Sequence, residues 1–159
     1  MKEKPIGYDL STPAADGSDD MTVYILNFLN TYPKLEGEEV RFQRVGQENI
    51  SMVPLGNASI LSNKVSITNH VRQKCQYSFQ LFRKSVGLSE KMQIKYKEFL
   101  DNFAMWLQMQ EYPEEGLPEG VEITSMLPGA AAALYVREDN QSEAWMIPID
   151  VKYTREFDK

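Results

Sequence analysis

The chain has 159 residues, of which 42% are apolar and 25% charged, with a net charge of −6. That length suits one domain able to bury roughly 68–70% of its unfolded surface, and the single cysteine, Cys75, excludes an internal disulfide and a multi-cysteine zinc site. No apolar run approaches the ~20 residues that span a bilayer, and the polar first twenty residues lack a signal-peptide core, so the expected setting is a cytosol, with no membrane partner.

Residues 1–18, "MKEKPIGYDLSTPAADGS", have no periodicity and contain Pro5, Gly7, Pro13 and Gly17, which reads as an arm. Tyr8 and Leu10 are its candidate anchors to a neighbour. Asp19 or Asp20 can cap a helix running to about Tyr32, with Met21, Tyr24, Ile25, Phe28 and Tyr32 on one apolar face and Pro33 and Gly37 ending it. "EEVRFQRV" (38–45) alternates as a strand. "ISMVPL" (50–55) is a shorter extended piece that Pro54 places at an edge or bulge, and "GNAS" (56–59) is a turn. "VSIT" (65–68) opens a long extended region.

"QKCQYSFQLFRKS" (73–85) is the clearest strand. Cys75, Tyr77, Phe79 and Leu81 point one way, and Lys74, Gln76, Ser78 and Gln80 the other. Ser89 caps the main helix, with Glu90 in its first turn, and the helix reaches about Glu111. On its wheel Met92, Tyr96, Phe99, Leu100, Phe103, Trp106 and Leu107 form the core stripe. Ile94, Met105 and Met109 fall on another side, among charged residues. "YPEEGLPEG" (112–120) terminates the helix in an acidic loop. "VEITSML" (121–127) is a strand, "PGAA" (128–131) a turn, "ALYVRE" (133–138) a strand, "DNQS" (139–142) a hairpin-like connection, and "EAWMIPIDVKYT" (143–154) the closing strand. In that strand Pro148 again implies an edge or bulge. Helix, several strands, long helix and strands again is not an alternating βα pattern. It predicts an α+β domain over 19–159, a mainly antiparallel or mixed β-sheet covered by two α-helices.

Chemistry is hard to find. His70, the only histidine, and Cys75 are five apart and point to opposite faces of a regular strand, so a Cys–His pair is not expected. The acidic loop lacks the spacing of a calcium site. "PLGNAS" and "LPGAAAAL" lack the glycines and lysine of a phosphate loop, and no serine has the flanking glycines of a nucleophile elbow. No catalytic, cofactor or metal residues are therefore assigned. Tyr77 and Phe79 belong to the core face, which makes them poor stacking platforms for nucleic acid.

Charge is unevenly spread. Residues 1–63 carry a net −4, residues 64–97 a net +7, and residues 98–159 a net −9. Such patterning speaks of partners rather than fold. Either the two halves pair within the chain, or the basic part of one copy faces the acidic part of another. Candidate subunit or partner contacts are Tyr8, Leu10, Arg72, Lys74, Arg83, Lys84, Ile94, Met105 and Met109.

"ILNFLNTYPKL" (25–35), "RQKCQYSFQLFRKSVG" (72–87), "EFLDNFAMWLQMQ" (98–110) with "LPEG" (117–120), and "WMIPIDVKYTR" (145–155) together resemble the opening helix, central strand, main helix and last strand of the tail terminator, or tail completion, proteins of long-tailed phages and prophages of Gram-positive bacteria. The resemblance covers about residues 20–157 and carries no catalytic signature. It implies a tail-terminator-like fold and a structural role without cofactor. Copies of such a protein form a ring, usually of six, that caps the tail tube, ends its polymerisation and meets the head connector. DNA passes through the lumen without specific binding. The partners implied are further copies of the chain, the tail-tube protein and the connector, and the location is the tail or neck of a virion assembled in the host cytoplasm. The competing readings are a small ligand-binding domain or enzyme without a recognisable motif, and another neck or head-completion adaptor.

Overall fold

The computed structural model describes residues 18–42, 49–56, 58–85, 87–136 and 143–159. Its elements are α1 (Ser18–Leu29), β1 (Val40–Phe42), β2 (Ile50–Pro54), β3 (Ser59–Val65), β4 (His70–Lys84), α2 (Glu90–Gln108), β5 (Val121–Pro128), β6 (Ala133–Val136) and β7 (Glu143–Asp158). Two helices and a mixed seven-stranded sheet make an α+β fold. The expected arm, with Tyr8 and Leu10, lies outside the described residues except for Ser18, as does the 139–142 connection.

The architecture follows from two long strands with matching alternation. β4 and β7 pair antiparallel from His70↔Asp158 to Lys84↔Ala144 without a break in register. Because side chains alternate across a strand, this one register sends Tyr77, Phe79 and Leu81 of β4 and Ile147, Ile149, Val151 and Tyr153 of β7 to the same buried face. Each long strand is then shared by two shorter partners. β3 lies along the first half of β4 and β2 along the second. β6 lies along the start of β7 and β5 further on. β1 joins the outer edge of β2 in parallel.

The prolines sit where this division leaves the backbone free. Pro148 falls between the residues of β7 that pair with β6, which end at Met146, and those that pair with β5, which begin at Ile149. Its missing N–H therefore costs no ladder bond on that side, and its carbonyl accepts from Gly129 N at 3.0 Å. Pro54 lies beyond the last β1 pair, Phe42↔Met52.

α2 and α1 close the buried face. Ser89 Oγ accepts from Met92 N at 3.3 Å, as an N-cap should. Leu100, Phe103, Ala104 and Leu107 are the buried residues of α2, and Met21, Ile25, Leu26 and Leu29 of α1 are buried with them. Fully burying a side chain of this kind contributes roughly 1.5–3 kcal/mol. Aromatic rings join α1 and the segment after it to α2: Tyr32, just past α1, stacks on Phe103 with centroids 4.2 Å apart, and Phe28 on Trp106 at 5.6 Å.

Four sequence expectations are corrected. α1 starts at Ser18, which puts Asp19 and Asp20 inside its first turn. It ends at Leu29 rather than Tyr32, because Asn30 competes with the helix backbone. Asn30 Nδ2 donates to Leu26 O at 3.0 Å and Val40 O at 3.2 Å, and its Oδ1 accepts from Val40 N at 2.8 Å. Residues 66–69 are a tight turn, not a strand. Asn69 has φ +62°, and Ser66 bonds His70 through both backbone and hydroxyl. β3 was unread because its sequence, "SILSNKV", shows no burial alternation, and the strand is almost wholly exposed. The fourth concerns the face of β4 expected to be polar. At its far end that face buries Phe82 and the neighbouring Ala144, with Tyr135 edge-on to Phe82 at 5.5 Å.

Asn30 is the stitch between α1 and β1. Asn30→Ala leaves buried Val40 groups short of a partner and is expected to destabilise the protein by about 1–3 kcal/mol, measured as a shift of the urea midpoint at unchanged m-value.

Candidate functional site

His70 and Cys75 stand on opposite faces, His70 exposed and Cys75 buried, so they form no pair. Among the described residues no group of three or more His, Cys, Asp or Glu side chains is placed to hold a metal ion. Among the described residues no helix is long and apolar enough to cross a membrane.

Two concavities among the described residues are of a size to consider. One, of about 460 Å³, lies between α1 (Val23, Tyr24, Asn27, Phe28) with Thr31 just after it and the turn at Pro113, Glu115 and Gly116. Its phenol is held, since Tyr24 Oη donates to Pro113 O at 2.6 Å. Burial, reinforced by the Tyr112 phenol, pushes the Tyr24 hydroxyl up to about 12. It is therefore no acid or base at neutral pH, and Glu115 alone supplies no acid–base pair. The second concavity, of about 310 Å³, is acidic and includes Glu114, Glu119, Glu122 and Glu156. Gly120 shapes it: φ is +78°, and a Cβ there would stand 2.3 Å from Glu156 O. Only glycine lets this loop lie so close against β7, where Glu156 N donates to Gly120 O at 2.9 Å.

No protein-family model matches the chain, and no curated protein matches it. The functional reading therefore rests on the surface itself.

The basic middle and acidic end meet within the chain at Lys97 and Asp101, one turn apart in α2 at 2.6 Å, and again along β4 and β7, where the register is the reason. Residues 70–72 lie opposite 156–158. His70 Nδ1 is 2.9 Å from Asp158 Oδ1 and Arg72 Nε is 3.6 Å from Glu156 Oε1. Arg72 is thus engaged internally. Lys74, opposite Thr154, is exposed, and Lys84 ends β4 half-buried. Arg83 is not a free surface cation: it is only 7% exposed, a consequence of its odd number, which puts it on the core face beside Leu81.

Ile94, Met105 and Met109 stand exposed at 53%, 60% and 79%. Separations of eleven and four residues bring them to within about 60° on the helix, so they form one row along the outside of α2. The sequence reading missed a second apolar surface, Ile60, Leu61, Val65 and Ile67 on the β3–β4 hairpin, all exposed. Its only signal was a set of apolar residues without alternation.

The hydrogen bond that the protonated imidazole donates to the Asp158 carboxylate, above all, raises the His70 pKa above its ordinary 6.5, and Glu156 adds to the rise. A histidine whose folded pKa is raised stabilises the fold fully below its unfolded pKa and loses that contribution as pH climbs through the folded pKa. NMR titration of the single imidazole is expected to give a midpoint above 6.5, moving down toward the ordinary value in Asp158→Asn. An unchanged midpoint in that variant removes the pair from the account.

Proposed function

We propose that this protein is a ring-forming structural subunit of a long-tailed phage or prophage, with a tail-terminator-like fold. It caps the tail tube, ends tube polymerisation and joins the tail to the head connector, with DNA passing through its lumen. On this reading it belongs to the tail or neck of the virion, assembles in the bacterial cytoplasm, partners with further copies of itself, the tube protein and the connector, and needs no cofactor or catalytic residue.

The observation that supports this reading most is the presence of exposed apolar side chains on two separate surfaces. One is the outer row of α2 and the other is the β3–β4 hairpin. A subunit that lies between neighbours needs more than one contact surface. β3 adds an outer edge that pairs with no described strand, a surface suited to further chain contacts. The α+β layout is compatible with the resemblance in the sequence.

Electron microscopy of the purified protein mixed with tail-tube subunits is the test. Rings at tube ends and shortened tubes are expected; tubes of unchanged length without terminal rings contradict the reading. Met105→Glu with Met109→Glu is expected to leave stability within about 0.5 kcal/mol, as for exposed sites generally, and to weaken assembly. Unfolding of this variant would mean that the outer row is not a free surface.

The groove beside α1 favours a second reading, a small ligand-binding domain. On that reading a small apolar ligand raises the melting temperature saturably, and Phe28→Glu abolishes the rise.

A further inference from the structure

Arg83 is a buried cation. Its guanidinium carbon lies 4.1 Å from the Tyr96 ring centroid and 4.2 Å from that of Phe99. The aromatic faces compensate part of its charge, but they accept none of its five N–H donors in the plane where carboxylates bind. Nε is enclosed without a hydrogen-bond partner. Among the described residues no carboxylate comes within ion-pair distance of the guanidinium. Glu143, at the same end of the sheet, accepts instead from Gln93 at 3.0 Å and Ser85 at 3.3 Å. Lys91 and Lys95, exposed and one turn apart in α2, extend the positive field, with Lys95 on the same helix side as Phe99.

The free carboxylates are elsewhere. Glu114, Glu119 and Glu122 are exposed around the acidic concavity, with no cation at ion-pair distance among the described residues. Glu122 pairs with Thr154, and Thr154 with Lys74, nine residues along β4 from Arg83. At ~3.3 Å per residue the two patches are roughly 30 Å apart, beyond any side chain's reach. They cannot neutralise each other within one chain.

We propose that Arg83, with Lys91 and Lys95 on the helix whose rings cover it, receives a carboxylate from the Glu114–Glu122 lip of a second copy of this chain. The two rings hold the guanidinium in place before contact, so an incoming carboxylate forms charge-assisted hydrogen bonds with little ordering left to do. The two patches differ, so the contact is heterologous: each copy gives one patch and takes the other, which closes a ring or extends a filament. The proposal rests on the ring reading and specifies which surfaces meet in it.

Sedimentation of the full-length protein at low and high salt tests it. The wild type is expected to associate more strongly at low salt. Glu119→Lys with Glu122→Lys should weaken association by roughly tenfold or more, the range for close interfacial charge pairs, as should Lys91→Glu with Lys95→Glu. The four changes together should restore it. Arg83→Met keeps the packing against both rings and removes the charge. It should weaken association while leaving the melting temperature unchanged or raised, because removing an uncompensated buried charge does not cost the monomer. A lowered melting temperature with association intact assigns Arg83 to the core alone and overturns the proposal. Association insensitive to both charge reversals also overturns it, and leaves the ring reading to another surface. If only the basic-end reversal weakens assembly on tail tubes, the carboxylate comes from the tube protein and the proposal fails. A wild type that stays monomeric, alone and with tail-tube subunits, removes this contact and the ring together.

Discussion

The unbroken antiparallel pairing of β4 with β7 is the constraint on which the other features depend. Fifteen consecutive residue pairs hold a single register, and a slip of one residue would turn every apolar side chain of one strand to the opposite face. With the register fixed, Tyr77, Phe79 and Leu81 meet Val151, Ile149 and Ile147 on the side that the helices cover. The same register puts Arg72 opposite Glu156 and His70 opposite Asp158, so one end of the ribbon satisfies its own charges. At the other end it brings Arg83 beside Trp145 on the core face, where α2 supplies aromatic rings rather than a carboxylate.

Much of this arrangement was legible from alternation alone. The faces of β4 and β7, the cap at Ser89 and the core stripe of α2 each follow from one periodicity read over many residues, and local surroundings do not easily override such signals. The outer position of Ile94, Met105 and Met109 came from the same wheel. What was not legible depends on pairing partners distant in sequence. β3 is a strand because β4 offers an edge to it, not because its own residues alternate. The 66–69 turn comes from the Ser66 hydroxyl accepting from His70 N and from Asn69 adopting a positive φ, which outweighs the β-branched character of Val65, Ile67 and Thr68. The burial of Arg83 follows from its parity with Leu81, but a cluster of basic residues in the sequence hides that parity.

The charge map of the sequence reads differently on the fold. The division into a basic middle and an acidic end is partly an internal matter, settled where β4 and β7 run side by side. What remains is narrower: a buried arginine under a helix that carries exposed Lys91 and Lys95 at one end, and a glutamate lip set by Gly120 at the other. The apolar row of α2 and the exposed hairpin lie outside both of these charged patches.

The central claim is that the two ends meet between copies, and zero-length carbodiimide cross-linking of the assembled protein, followed by peptide mass spectrometry, addresses it directly. The account predicts amide links from Lys91 or Lys95 to Glu114, Glu119 or Glu122 in the oligomer bands and not in the monomer band. Oligomer bands without such links, or the same links within a monomer, would contradict it.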